Sequence, residues 1–223
     1  SYEASLVYSK KHKKTFIHPF DDEDVIIGQG TMALEILNQS FFPIDYLLVP
    51  IGGGGLISGM INVFKQKSPK TRIIGIEPKG APSMYESMRQ NKRITLDRID
   101  NFVDGAAVKT IGKISFDYCS KFLDDIVIVD EGEICQNILT MYNNDAIIVE
   151  PAGAMSITGL NKMSKSIKDK NVVCLICGGN NDITRMSEIK ERALLFNNLK
   201  HYFVIRFPPV SYTHLRAHET IAN

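Results

Sequence analysis

The sequence contains no tryptophan, and its four cysteines, Cys119, Cys135, Cys174 and Cys177, fall without the regular framework of a disulfide scaffold. A disulfide-stapled secreted module is therefore excluded, and the cysteine usage points to a reducing cytoplasm. An excess of either charge is lacking too: 26 Lys and Arg against 25 Asp and Glu leave a formal net charge of +1. A balance so close to zero gives no general pull toward nucleic acid or an anionic membrane. No apolar run approaches the roughly 18–20 residues that would span a bilayer. The chain does not open on methionine, and SYEASLVYSKKHKK has no signal-peptide core, so it reads as the interior of a longer polypeptide. What is present is ordinary globular material: 223 residues, 44% apolar and 23% charged, enough for one large domain.

The apolar residues are arranged in two periods. IDYLLVPI (44–51), TRIIGIEP (71–78), DDIVIVD (124–130) and KNVVCLICGG (170–179) hold continuous apolar runs, the pattern of strands buried on both faces in a parallel sheet. Helical spacing recurs in VIIGQGTMALEILNQ (25–39), LISGMINVFKQ (56–66), EGEICQNILTMYNN (131–144), PAGAMSITGLNKM (151–163) and SEIKERALLFNNL (187–199). Residues 1–14 also read as helix, whereas TFIHPF (15–20) reads as a short strand stopped by Pro19. HYFVIRF (201–207) reads as the first strand of another module. Alternation of strand and helix predicts an α/β domain built on an open, mostly parallel twisted sheet.

Gly52, Gly53, Gly54 and Gly55 follow one predicted strand and open one predicted helix. Without Cβ atoms the backbone can approach an anion closely, and the helix start adds unpaired N–H groups and the positive end of its dipole. Together these features make a phosphate site. A plain flexible turn is the bland alternative. A dinucleotide fold is the other: Gly53, Gly55 and Ser58 nearly meet G-x-G-x-x-G, and Glu77 stands where a ribose carboxylate would. The third glycine of that motif is missing, and the wider loop suits a terminal monophosphate. Cys174 and Cys177 spell C-x-x-C, but strand positions three apart point to opposite faces, and no matched second pair supplies a zinc site. His18, beside Pro19, and His12, within Lys10–Lys14, read as structural and solvated respectively. No metal is expected.

Six separated blocks carry a more specific signal: FIHPFDDEDVIIGQGTMALEIL (16–37), DYLLVPIGGGGLISGM (45–60), IIGIEPKGA (73–81), NFVDGAAV (101–108), IIVEPAGAMS (147–156) and CLICGGNND (174–182). In order and spacing they resemble the threonine dehydratase family and its relative serine racemase, fold-type II pyridoxal-phosphate enzymes with a tryptophan-synthase-β-like fold. ITRMSEIKERALLFNNLKHYFVIRFP (183–208) resembles the shorter biosynthetic type, in which a small regulatory domain follows. The resemblance implies conversion of an amino acid, L-threonine, to 2-oxobutanoate and ammonia for isoleucine synthesis. It also implies pyridoxal 5'-phosphate as cofactor, a cytoplasmic homo-oligomer, and no nucleic-acid or membrane partner. A serine racemase or serine dehydratase and a nucleotide-binding Rossmann module are the alternatives kept.

By the same resemblance Gly52, Gly53, Gly54, Gly55 and Leu56 hold the cofactor phosphate, and Cys177 faces the pyridine nitrogen. Read without it, Cys177 is equally a small buried residue at a strand end. Gly105 lies in the block that approaches the ring, and Glu150 braces the cleft wall or caps a helix. Serine racemase binds a cation at positions matched by Glu77 and Ala81, but Ser83 replaces the aspartate of that set. Two family features are missing from these residues, the lysine that joins the cofactor and the SGNHA-type loop. The chain is therefore expected to be the C-terminal portion of such an enzyme, with no catalytic residue of its own. Residues 1–199 are expected to be a partial catalytic domain and 200–209 the start of an ACT-like regulatory domain. Residues 210–223, VSYTHLRAHETIAN, resemble a sequencing-adapter reading frame and are expected to be non-native.

Overall fold

A computed structural model of the protein describes residues 2–206. Four parallel strands form one sheet: β1 (Tyr46–Pro50), β2 (Arg72–Pro78), β3 (Asp125–Val129) and β4 (Val172–Cys174), in the spatial order β3-β2-β1-β4. Helix α1 (Tyr2–His12) and helix α2 (Glu23–Gln39) precede β1, and α3 (Gly55–Lys67) joins β1 to β2. Between β2 and β3 lie α4 (Ser83–Arg89) and α5 (Lys113–Phe122). Helices α6 (Glu131–Asp145) and α7 (Met155–Met163) lead to β4, and α8 (Met186–Phe196) follows it. No helix among the described residues is long and apolar enough to cross a membrane.

The continuous apolar runs of β1 and β2 are explained by two cores, one on each face of the sheet. Leu47, Val49, Ile51 and Ile73 pack with Ala33, Ile57, Ile61 and Phe64 of the α2–α3 layer. Leu48, Ile74 and Ile76 pack with Ile134, Ile138, Met155 and Ile189 of the α6–α7–α8 layer. Neighbours along a strand point to opposite faces, so a strand covered on both sides has no polar alternate. The helices of the first layer touch almost backbone to backbone. A Cβ on Gly59 would lie 2.5 Å from the Ile26 carbonyl oxygen, so a larger residue there would part α2 from α3.

Carboxylates start several helices, one of them from far away in the sequence. Asp22 caps α2 by accepting from the amides of Asp24 and Val25. Asp21 accepts from Lys113 N at 2.8 Å and Ile114 N at 2.9 Å, and so starts α5. Glu77, fully buried at the end of β2, accepts from Met84 N at 2.8 Å and Tyr85 N at 2.7 Å, and so starts α4. Burial pushes the Glu77 carboxyl up to about 8, against the lowering effect of those two amides. The unfolded chain would ionise it near 4.5. Between these values the folded state keeps the proton and the unfolded state does not. Stability from this group is therefore full below about pH 4.5 and falls as pH rises through about 8. Glu77→Gln should lose that slope, seen as urea midpoints that converge with wild type at low pH and exceed it at high pH. Parallel profiles would refute the assignment.

Three expectations need correction. Residues 15–20 do not form a strand. His18 Nδ1 accepts from Asp21 N at 2.9 Å, which turns the segment, and among the described residues no strand pairs with it. The strand expected over 170–179 is only Val172–Cys174; Leu175 N still donates to Leu48 O, after which the chain leaves the sheet. Residues 201–206 are likewise not a strand, with Phe203 and Val204 82% and 92% exposed and no pairing strand among the described residues. The remainder of that segment, and the tail expected from 210, lie outside the described residues. Helices α4 and α5 were not foreseen from the apolar pattern.

Candidate functional site

The strand order places the cleft. From β1 the chain moves outward through β2 to β3, then returns to lay β4 on the other side of β1. The loops leaving the carboxyl ends of β1 and β4 therefore diverge, and ligands bind in such crevices of open α/β sheets. A cleft of about 390 Å³ lies there. The β1–α3 loop, Gly52 to Leu56, forms its floor, Cys177 and Gly178 one side, and Gly105 and Ala106 another. Pro19, Phe20, Gln29, Glu150 and Ala152 also line it.

The glycine loop has used its carbonyls and kept its amides. Gly53 O accepts from Gly112 N at 3.0 Å. Gly54 O accepts from Ser58 N at 3.1 Å and from Ser58 Oγ at 2.7 Å. None of the amides from Gly52 to Leu56 donates to a protein acceptor among the described residues. Gly54 adopts the left-handed region, φ 92°, at the N-cap of α3. A Cβ on Gly53 would lie 2.1 Å from the Phe20 ring, and one on Gly55 2.7 Å from Phe20 O. This is a backbone cradle at the positive end of a helix, closed by an aromatic side chain, and it fits a phosphate monoester.

Cys177 sits three residues beyond β4, off the strand end where it was expected, and lines the same cleft. Gly153 packs so closely behind it that a Cβ there would lie 2.3 Å from Cys177 O. Burial pushes the Cys177 thiol up, and the nearby Glu150 carboxylate adds to the shift. The group is thus a neutral thiol, a weak donor or acceptor. Cys174 packs into the opposite core beside Leu48 and Ile74, so the two cysteines do not form a pair. Glu150 belongs to the cleft wall: its amide donates to Gly178 O and its carboxylate accepts from Asn180 N at 3.1 Å.

Glu77, with both oxygens taken by α4, cannot serve a ribose, which removes the acidic partner of the dinucleotide reading. Ala81 and Ser83 are buried beside it, and no group of three metal-capable side chains occurs among the described residues. His18 is structural and His12 lies exposed against Tyr8. Phe20, Val25 and Gln29 line the cleft and were missed as site residues; the HPF block gave the one available hint. Among the described residues no lysine lines the cleft.

The sequence profile of the pyridoxal-phosphate dependent enzyme family matches residues 2–178. A biosynthetic L-threonine dehydratase of Halalkalibacterium halodurans is 55% identical over 208 residues, 93% of this chain and 50% of the relative. That of Bacillus subtilis is 49% identical over 207 residues, 93% of this chain and 49% of the relative. The chain thus spans about half the length of the curated relatives it matches. Among solved structures, threonine deaminase isoform 2 of Solanum lycopersicum superposes with a TM-score of 0.81 at 38% identity, covering 84% of this chain and 55% of that one. Maize serine racemase gives a TM-score of 0.76 at 30% identity over 86% of this chain and 61% of that one.

Proposed function

Since the chain belongs to the pyridoxal-phosphate-dependent enzymes, we propose that it is the phosphate-holding part of a threonine dehydratase, converting L-threonine to 2-oxobutanoate and ammonia. The set of unpaired amides from Gly52 to Leu56 carries the reading. When bound, pyridoxal phosphate supplies an electron sink for the electron pair left by the departing α-proton. The chain's own contribution is placement. The loop amides would hold the phosphate, and Gly105, Ala106 and Phe20, which line the same cleft, would flank the bound group. Cys177 would face the pyridine nitrogen, where a neutral thiol, unlike a carboxylate, would not fully protonate the ring and would so favour loss of a β-hydroxyl. The neighbouring charge of Glu150 supports that neutral state. The high identity to relatives named as biosynthetic L-threonine dehydratases supports threonine over serine and a role in isoleucine synthesis. Residues 200–209 remain proposed as the start of a further, regulatory module.

Equilibrium dialysis of the chain tests the seat. Pyridoxal phosphate and pyridoxine phosphate should bind, and the phosphate-free alcohols should bind weaker by on the order of tenfold or more, since each bond to a charged acceptor is worth about 1.5–3 kcal/mol. Equal binding of pyridoxine and its phosphate would overturn the reading.

A further inference from the structure

Outside the cleft, one aromatic ring carries two cations. Phe102 is 4% exposed. The Arg192 guanidinium lies 4.0 Å from its ring centroid and that of Arg185 lies 5.1 Å away. Arg185 Nη2 also donates to Phe102 O at 2.6 Å, and its Nη1 stands 3.4 Å from Asp104 Oδ2. Arg192 Nη1 stands 3.4 Å from Asp100 Oδ2, whose other oxygen accepts from Phe102 N at 2.9 Å. Arg192 is held by Glu188 at 2.9 Å as well. The segment from Asp100 to Asp104 is thus gripped on its ring, its backbone and both flanking carboxylates.

The grip comes from an element anchored elsewhere. Arg192 projects from α8, whose Ile189 and Ala193 are buried in the core, and Arg185 closes the short 3-10 turn just before α8. None of Phe102, Arg185 and Arg192 lines the cleft. The residues just after Phe102 do. A Cβ on Gly52 would lie 2.9 Å from Ala106 Cα, and one on Gly105 would lie 2.9 Å from Glu150 Oε1. The wall residues Gly105 and Ala106 carry little side chain of their own, so the segment is held by what grips the buried Phe102 and Val103 beside them. Isolated surface ion pairs would hold it weakly. Two guanidiniums on one desolvated ring hold it better.

We propose that Arg185 and Arg192 are positioning residues that fix the 102–106 wall against the glycine loop through Phe102, so that the seating of α8 sets the width of the cleft. The proposal rests on the reading of that cleft as the pyridoxal-phosphate seat. Hydrogen–deuterium exchange on the 223-residue chain, with and without pyridoxine phosphate, tests it in wild type, Arg192→Met, Arg192→Lys and Phe102→Leu. Without ligand, Arg192→Met and Phe102→Leu should speed exchange at the Ala106 and Ala107 amides about tenfold, the scale of one desolvated cation–π contact, while 44–60 keeps its wild-type rates. Affinity for pyridoxine phosphate should fall by a similar factor, and Arg192→Lys, which keeps a cation over the ring, should recover most of both.

Unchanged exchange at 102–108 in Arg192→Met overturns the proposal. So does a change confined to 186–196, or global loss of protection in the Met and Lys variants alike, since each marks a structural role only. If wild type fails to bind pyridoxine phosphate, the cofactor reading falls. The wall is then judged on exchange alone, and unchanged rates sink it.

Discussion

Mixed with pyridoxal phosphate and L-threonine, the 223-residue chain is expected to release no 2-oxobutanoate above the uncatalysed background. The reaction needs a base at the α-carbon, and a positioned base is worth roughly 10²–10⁴-fold in rate. Among the described residues the cleft is lined by no lysine and by one carboxylate, Glu150, which accepts from Asn180 N. Three lysines outside the cleft are held in ion pairs: Lys65 with Asp124, Lys162 with Glu133 and Lys200 with Glu191. Supplying the other half of a curated relative's length, on the same chain or as a separate piece, should bring turnover. Borohydride trapping followed by peptide mapping separates the cases. Scattered partial labelling agrees with this account, whereas one stoichiometrically labelled lysine within the chain, with turnover, contradicts it.

The second large effect is steric. Gly53→Ala should weaken binding of pyridoxine phosphate by on the order of a hundredfold, because the new methyl would enter the Phe20 ring. Overpacking of that kind costs about 1–3 kcal/mol, and the displaced ring would also swing over the amides that receive the phosphate. Phe20→Ala in the same background makes room for the methyl and should recover much of the affinity. Titration of single and double variants decides it. Equal affinity of Gly53→Ala and wild type would show that Phe20 is not the lid of the loop, and additive losses in the double variant would say the same.

The sheet was legible because β1 and β2 are buried on both faces, which leaves a period-free apolar run bounded by turn residues. The failed strands at 15–20 and 201–206 have the same composition without a neighbour to pair with. Whether a ladder partner exists is a non-local fact. The seven-residue α4 and the start of α5 were invisible for a related reason: their amides are taken by Glu77 and Asp21, the latter 92 residues from Lys113. At the cleft, the glycine loop and Cys177 could be read from their motifs and from resemblance. The lining residues Phe20, Val25 and Gln29 could not, because only the packing of α2 on α3 brings them to the loop. The grip of Arg192 on Phe102 joins positions too far apart for any local pattern to link.

The proposed phosphate seat is made of main-chain N–H groups, with the Gly53 and Gly54 carbonyls of the same loop spent on Gly112 and Ser58. Every non-proline residue carries the same donor, so exchanging one side chain for another removes none of the seat's chemistry; it can only fill the space or forbid the turn. Tolerance through 52–56 should thus be ranked by volume and by access to positive φ, with charge and polarity nearly silent. A population of variants would drift there along a single axis, size, and a lost seat could be regained by shrinking a neighbour such as Phe20 as readily as by restoring the glycine.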